Sequence, residues 1–352
     1  MTWLLTVVLA MNIPPVSDGT PNRQPQLASG NGGVALAFGS GHSVMVALSK
    51  DGGETFSKPS LVAELPALAL GRHRGPRIAI SGRTMLVSAI NGDLLVWRSI
   101  DGGNNWSKPI TVNDTPDAAR EGLDAMAADD SGHVAAVWLD LRAKGTRLYG
   151  AFSNDAGVTW SKNVLVYESP DGTICQCCHP TLVAAGNGAF DVMFRNVVGG
   201  NRDMYLLRVR DGRVVSRPEK LGMDSWDLNA CPMDGGGMAL ADGHVVTAWR
   251  RGQDVFLAEP GRKETKIGSG VDVALAAGRG KTYAVWTRDG AIESWDDGKT
   301  EVLSKSGSFP ALTSLPDGGV LAAWEEGGAI KTRRIIAGSA RAPAASARRG
   351  TY

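Results

Sequence analysis

Apolar residues in this chain come in short runs, each broken by a polar turn. The recurring unit is a strand ending in an aromatic or large apolar residue, then a turn, a second strand and an Asp-Gly type hairpin. Seven such strand ends can be aligned: Phe38 in VALAFGS, Ile90 in MLVSAING, Trp138 in VAAVWLD, Phe194 in DVMFRN, Trp249 in VVTAWRR, Trp286 in TYAVWTR and Trp324 in VLAAWEE. They follow one another at intervals of 37 to 56 residues. That interval suits a four-stranded blade and is too short for an independent domain. The pattern predicts an all-β chain: a β-propeller with seven four-stranded blades, or six if the two short final units merge.

Composition sharpens this picture. The 45 glycines and 10 tryptophans, among frequent Asp-Gly, Asn-Gly and Gly-Gly pairs, fit many tight turns between strands with aromatic packing. At 352 residues and 43% hydrophobic content, a single large all-β domain over residues 21–336 has material for its core. The 37 basic and 36 acidic side chains leave a net charge of +1, so no global field recruits nucleic acid or an anionic membrane. The apolar run Trp3 to Met11 is too short to span a bilayer. Residues 1–20 therefore read as a signal peptide, favouring a secreted or periplasmic protein, or as a strand that closes the ring. Residues 337–352, AGSARAPAASARRGTY, are small and basic, and are expected to form a disordered tail.

Three units carry a sharper hairpin: Ser49-Lys-Asp51-Gly-Gly53-Glu-Thr55-Phe56, Ser99-Ile-Asp101-Gly-Gly103-Asn-Asn105-Trp106 and Ser153-Asn-Asp155-Ala-Gly157-Val-Thr159-Trp160. A fourth, around Asp211-Gly212, is degraded. The S-x-D-x-G-x-T-W pattern resembles the Asp-box (BNR) repeat of the sialidase (neuraminidase) superfamily. In that family the boxes are structural and lie on the face away from the ligand. Catalytic sialidases have six blades, so a count of seven departs from them.

The loops entering each innermost strand and those between second and third strands should open on one face. The first set carries Arg23, His73, Arg74, Arg77, Glu121, Asp124, Asp234 and Asp272; the second carries Asp140, Arg142, Arg195, Asn196, Arg202, Asp203, Arg250, Arg251, Arg288 and Glu325. Converging arginines make an anion site by bidentate hydrogen bonding. Arg23-Gln-Pro25-Gln-Leu27 resembles the R-I-P-x-L motif that supplies the first arginine of a sialidase triad, and Asp140-Leu-Arg142 resembles an acid-plus-arginine stretch. The resemblance implies Asp140 as the acid and Arg23, Arg142, Arg195 and Arg250 as carboxylate clamps for a small anionic ligand or glycan. It implies no nucleophile: the late tyrosines are Tyr283, within a strand, and Tyr352, in the tail, and no Tyr/Glu pair is identifiable.

All four cysteines fall in two places, Cys175-Gln-Cys177-Cys178-His179 and Cys231-Pro-Met233-Asp234, in equivalent loops of adjacent units. The arrangement resembles bacterial sialidase-like proteins with a C-x-C-C cluster. Three chemistries fit: two disulfides; a zinc or copper site built from Cys175, Cys177, Cys178, His179 and Cys231; or a reactive thiol activated by arginines. The function classes that follow are an exported sialidase-like propeller binding a small anionic or metal-bearing ligand, a Cys/His metal protein, and a propeller that binds a protein partner.

Overall fold

The computed structural model describes residues 10–30 and 32–336. Residues 1–9 of the expected signal peptide and the expected tail at 337–352 lie outside these residues. Seven antiparallel sheets follow one another along the chain, and in the first six the strands run from innermost to outermost in sequence order. Blade 1 is Asn22–Gly30, Gly33–Ser40, Ser43–Ser49 and Ser60–Glu64. Blades 2 to 6 begin at Arg77, Asp124, Thr181, Gly236 and Val271. Blade 7 joins Ser308–Ser314, Val320–Glu326 and Ala329–Ile336 to Met11–Ile13, which pairs antiparallel with Ala329–Ile336 as its outer edge. The ring is thus closed by hydrogen bonds between the two ends of the described chain. The outer strand of blade 4 is broken into Arg213–Val214 and Glu219–Lys220, with Pro218 in the gap, where it cannot donate to the ladder. Among the described residues no helix is long and apolar enough to cross a membrane.

Each of the seven aligned aromatic or large apolar residues sits near the end of a second strand, and the blades pack through them. Trp138 lies with Leu86, Ile90 and Val96 of blade 2; Trp286 with Val246, Ala248 and Val255 of blade 5; Trp324 with Ile292 of blade 6. All three indoles are sealed from solvent, and their N–H groups are satisfied locally: Trp138 donates to Asp140 at 2.8 Å, Trp286 to Glu293 at 3.0 Å and Trp324 to Glu326 at 2.8 Å.

The three sharp hairpins lie between third and fourth strands and share one bonding scheme. The Ser hydroxyl accepts the Gly N–H at 2.8 Å in the first two and 2.9 Å in the third, and the Asp carboxylate accepts the N–H two residues beyond that Gly at 2.9–3.0 Å. Each Gly has positive φ, and a Cβ there would strike the preceding blade: Leu321 at 2.5 Å from Gly53, Leu48 at 3.2 Å from Gly103, Leu86 at 2.4 Å from Gly157. The turn is therefore a blade-to-blade contact as well as a hairpin.

Two outcomes follow. Trp286→Ala is expected to cost about 3–5 kcal/mol in urea unfolding, because the seam between blades 5 and 6 has nothing to fill the space; a loss under 1 kcal/mol would mean that the seam does not carry the ring. The Asn105 side chain and backbone, with Ser99, hold the Asp101 carboxyl down to about 2. Its stabilisation is complete above the range where an unfolded carboxyl ionises, near about 4, and is lost as pH falls through about 2. Asp101→Asn should weaken the acid dependence of stability over that interval, as followed by tryptophan fluorescence.

Candidate functional site

The loops entering the inner strands gather around the central channel, and several of their residues hold left-handed backbone without being glycine. Gln24, Asp272 and Phe309 (φ 57°, 61° and 50°) occupy equivalent bulges in the inner strands of blades 1, 6 and 7. His73 (φ 67°) and Met233 (φ 54°) do the same in the loops of blades 2 and 5. Each costs on the order of 1 kcal/mol or more, and such strain concentrates where a fold aims side chains at a site. Inside the ring, a cavity of about 160 Å³ is lined by residues of every inner strand, from Gln26 of blade 1 to Leu312 of blade 7, with His73, His179 and Asp272 also on its wall.

Two groups of converging ligand atoms occur among the described residues. The first is Cys175, Cys177 and Cys178, all buried, their sulfurs within 4.8 Å of one another. Cys175 Sγ is 3.2 Å from Cys178 Sγ and 3.7 Å from Cys177 Sγ. The Cys177 and Cys178 thiols turned toward it, with the Arg195 charge behind, hold Cys175 far below the ordinary thiol range. Arg202 donates to the same sulfur at 3.3 Å and is anchored on Leu228 O at 2.9 Å. Cys177 is pushed up by its bond to Cys175, and Cys178 is pushed up to about 12 by burial and by its own bond to Cys175. The arrangement is one sulfur approached by two thiols, with the Arg202 and Arg195 guanidiniums favouring its anionic form. Val197 and the Met233 thioether pack against the cluster.

The second group is His73, Asp234 and Asp272, from three different blades. His73 Nε2 meets Asp272 Oδ1 at 2.8 Å, and the Asp272 N–H donates to Asp234 Oδ2 at 3.1 Å. His179 stacks on the His73 ring at 4.3 Å, and Phe309 meets it edge-on at 5.2 Å. Burial, with His73 and Arg77 alongside, pushes His179 well below the ordinary imidazole range, so its ring is neutral. Gly235 permits this packing: a Cβ there would lie 2.3 Å from His179 O and 2.7 Å from its ring.

The structure thus divides the expected metal ligands. Cys175, Cys177 and Cys178 come together, His179 turns to the channel mouth, and Cys231 is exposed and outside both groups. The arginines are engaged with the protein itself. Arg195, 1% exposed, donates to the carbonyls of Asp234, Arg202 and Arg250, which ties blade 4 to blade 5. Arg250 binds Pro232 O at 2.8 Å and pairs with Asp234 at 3.0 Å. Arg142 makes a two-pronged contact with Asp140 and also reaches Asp114 and Asn163. Arg23 is exposed and lies where its charge acts on Glu325. Asp140 is fully buried and accepts bonds from the Trp138 indole and from Arg142 main and side chain, the role that Glu326 plays toward Trp324 in blade 7. The sequence places His73, Asp234 and Asp272 among the loops entering the channel without singling them out as a group; the Asp-Gly-Gly-Gly run at 234–237, which lets backbones meet, is the further signal.

No protein-family model and no curated protein matches the chain. Solved structures match at low identity. A Hadza microbial sialidase is 15% identical with a TM-score of 0.56, over 93% of this chain and 68% of its own. A polysaccharide lyase, an ulvan lyase bound to -[GlcA(1-4)Rha3S]-, is 10% identical with a TM-score of 0.58, over 92% and 95%. At these identities the likeness is one of fold: a sialidase-like β-propeller.

In a thiol titration of the native protein, Cys231 is expected to react first and alone, with three more thiols appearing only on unfolding. Fast reaction of two or more native thiols would mean that the cluster is open to solvent.

Proposed function

We propose that this chain is an exported propeller that binds a soft metal ion, copper(I) or zinc, on the thiol cluster at its ligand face. The observation that carries the reading is the mutual approach of Cys175, Cys177 and Cys178 in a buried, electropositive pocket. Three thiolates bound at about 2.3 Å around one ion stand about 4 Å apart. The 3.7 Å separation is near that value, and the 3.2 Å one needs only a small opening. Arg202 and Arg195 offset the negative charge of the ligands. Sulfur donors without a carboxylate among them favour soft ions over magnesium or calcium.

A carbohydrate ligand on the same face is the second reading. It is favoured by the half-exposed Trp226, an aromatic platform with the Arg195 and Arg250 guanidiniums at 5.2 and 5.4 Å from its ring, and by what the neighbouring structures act on. Exo-sialidase chemistry draws less support, because Asp140 and Arg142 already satisfy one another and the sequence offers no identifiable Tyr/Glu pair.

Protein purified without chelator should carry about one equivalent of copper or zinc by elemental analysis, and Cys178→Ser should weaken that binding tenfold or more. Metal-free protein whose missing thiols return on reduction would replace the metal with a dithiol–disulfide couple. Turnover of a fluorogenic sialoside abolished by Asp140→Asn would restore the hydrolase.

A further inference from the structure

We propose that the mouth of the central channel is a second, chemically distinct metal site: one divalent cation that prefers nitrogen and oxygen ligands, held by His73, Asp234 and Asp272. One imidazole nitrogen and one oxygen from each carboxylate lie within 4.8 Å of one another, close enough for a single ion to bridge them. The three ligands arrive on loops of blades 2, 5 and 6, so proximity in sequence does not account for the cluster.

The independent observation is at Asp234. This residue is 1% exposed, and its Oδ1 is buried without any hydrogen-bond partner. A sealed, unpartnered carboxylate oxygen is costly, and a fold keeps one where something else satisfies it. Its other oxygen is committed to the Asp272 N–H and faces Arg250 at 3.0 Å. Arg250 offsets one of the two carboxylates and Arg195 stands behind it, while Glu325 adds negative charge from blade 7 that Arg23 offsets.

The supporting shell is also in place. Stacking of His179 and the edge of Phe309 fix the His73 ring, while the left-handed backbone at His73 and Asp272 turns both side chains to the same point. Three protein ligands leave coordination positions open to water or to an anionic ligand entering over the channel. With one nitrogen, two oxygens and no sulfur, the set suits manganese(II), iron(II) or zinc(II), and it does not suit copper(I).

Manganese(II) is the discriminating probe, because it avoids thiolates. Titration of the full chain, with free manganese followed by electron paramagnetic resonance, should find one bound equivalent. Affinity should fall at least tenfold in both Asp272→Asn and His73→Gln, and should be unchanged in Cys178→Ser. Two variants on different blades, each checked for a native near-ultraviolet circular dichroism spectrum, separate loss of the site from loss of the fold. The proposal is overturned if the unmodified protein binds no manganese, if both variants bind it as tightly as the parent, or if Cys178→Ser abolishes the binding. Manganese binding at this site and copper or zinc binding at the thiols can each fail without the other.

Discussion

Wedging of one large second-strand side chain into the preceding blade is the interaction on which this molecule depends. A single four-stranded sheet of this size has two faces to cover and cannot do so alone. Trp138, Trp249, Trp286 and Trp324 are all nearly or fully sealed, and each belongs to a cluster drawn from two adjacent blades. Because the indole N–H must be satisfied where water is absent, an acid follows: Asp140, Glu293 or Glu326. In these three seams an acid accompanies the buried tryptophan, and Asp140 fills that packing role in blade 3.

Once the ring is built, its inner loops have little room. Glycines at 235–237 and left-handed turns at His73, Met233 and Asp272 are the means by which seven loops fit one opening. Two dipeptides then serve both clusters. Cys178 faces the thiols while His179 stacks over the channel; Met233 packs on the thiols while Asp234 meets His73 and Asp272. In each pair, adjacent residues of one backbone segment supply both groups.

The seven blades were legible because the repeated strand ends recur at blade spacing and report packing that every blade must make. That four thiols lie in equivalent loops was likewise readable from topology. What could not be read was the choice among them: Cys231, one loop over, is exposed because Pro232 O is held by Arg250 and the chain turns at Met233. The arginines were misleading for a related reason. A guanidinium satisfies backbone carbonyls at a crowded seam as readily as a ligand carboxylate, and Arg195 does the former. Nothing in one-dimensional spacing distinguishes these uses.

The outer edge of blade 7 has a mechanical meaning. Three residue pairs, Met11 with Thr332, Asn12 with Lys331 and Ile13 with Ile330, bind the start of the described chain into the last blade, and blade 1 also packs on blade 7 directly, with Leu36 and Phe38 against Ala323 and Ile330 and the Asn22 N–H donating to Gly328 O at 2.8 Å. They act as a clasp: while it holds, no blade can peel from the circle without disturbing two neighbours, and unfolding is forced to be collective. A protease that severed the chain at residues 14–21 would cut the covalent link between the clasp strand and blade 1, and would leave the seam between blades 1 and 7 to side-chain packing and hydrogen bonds alone.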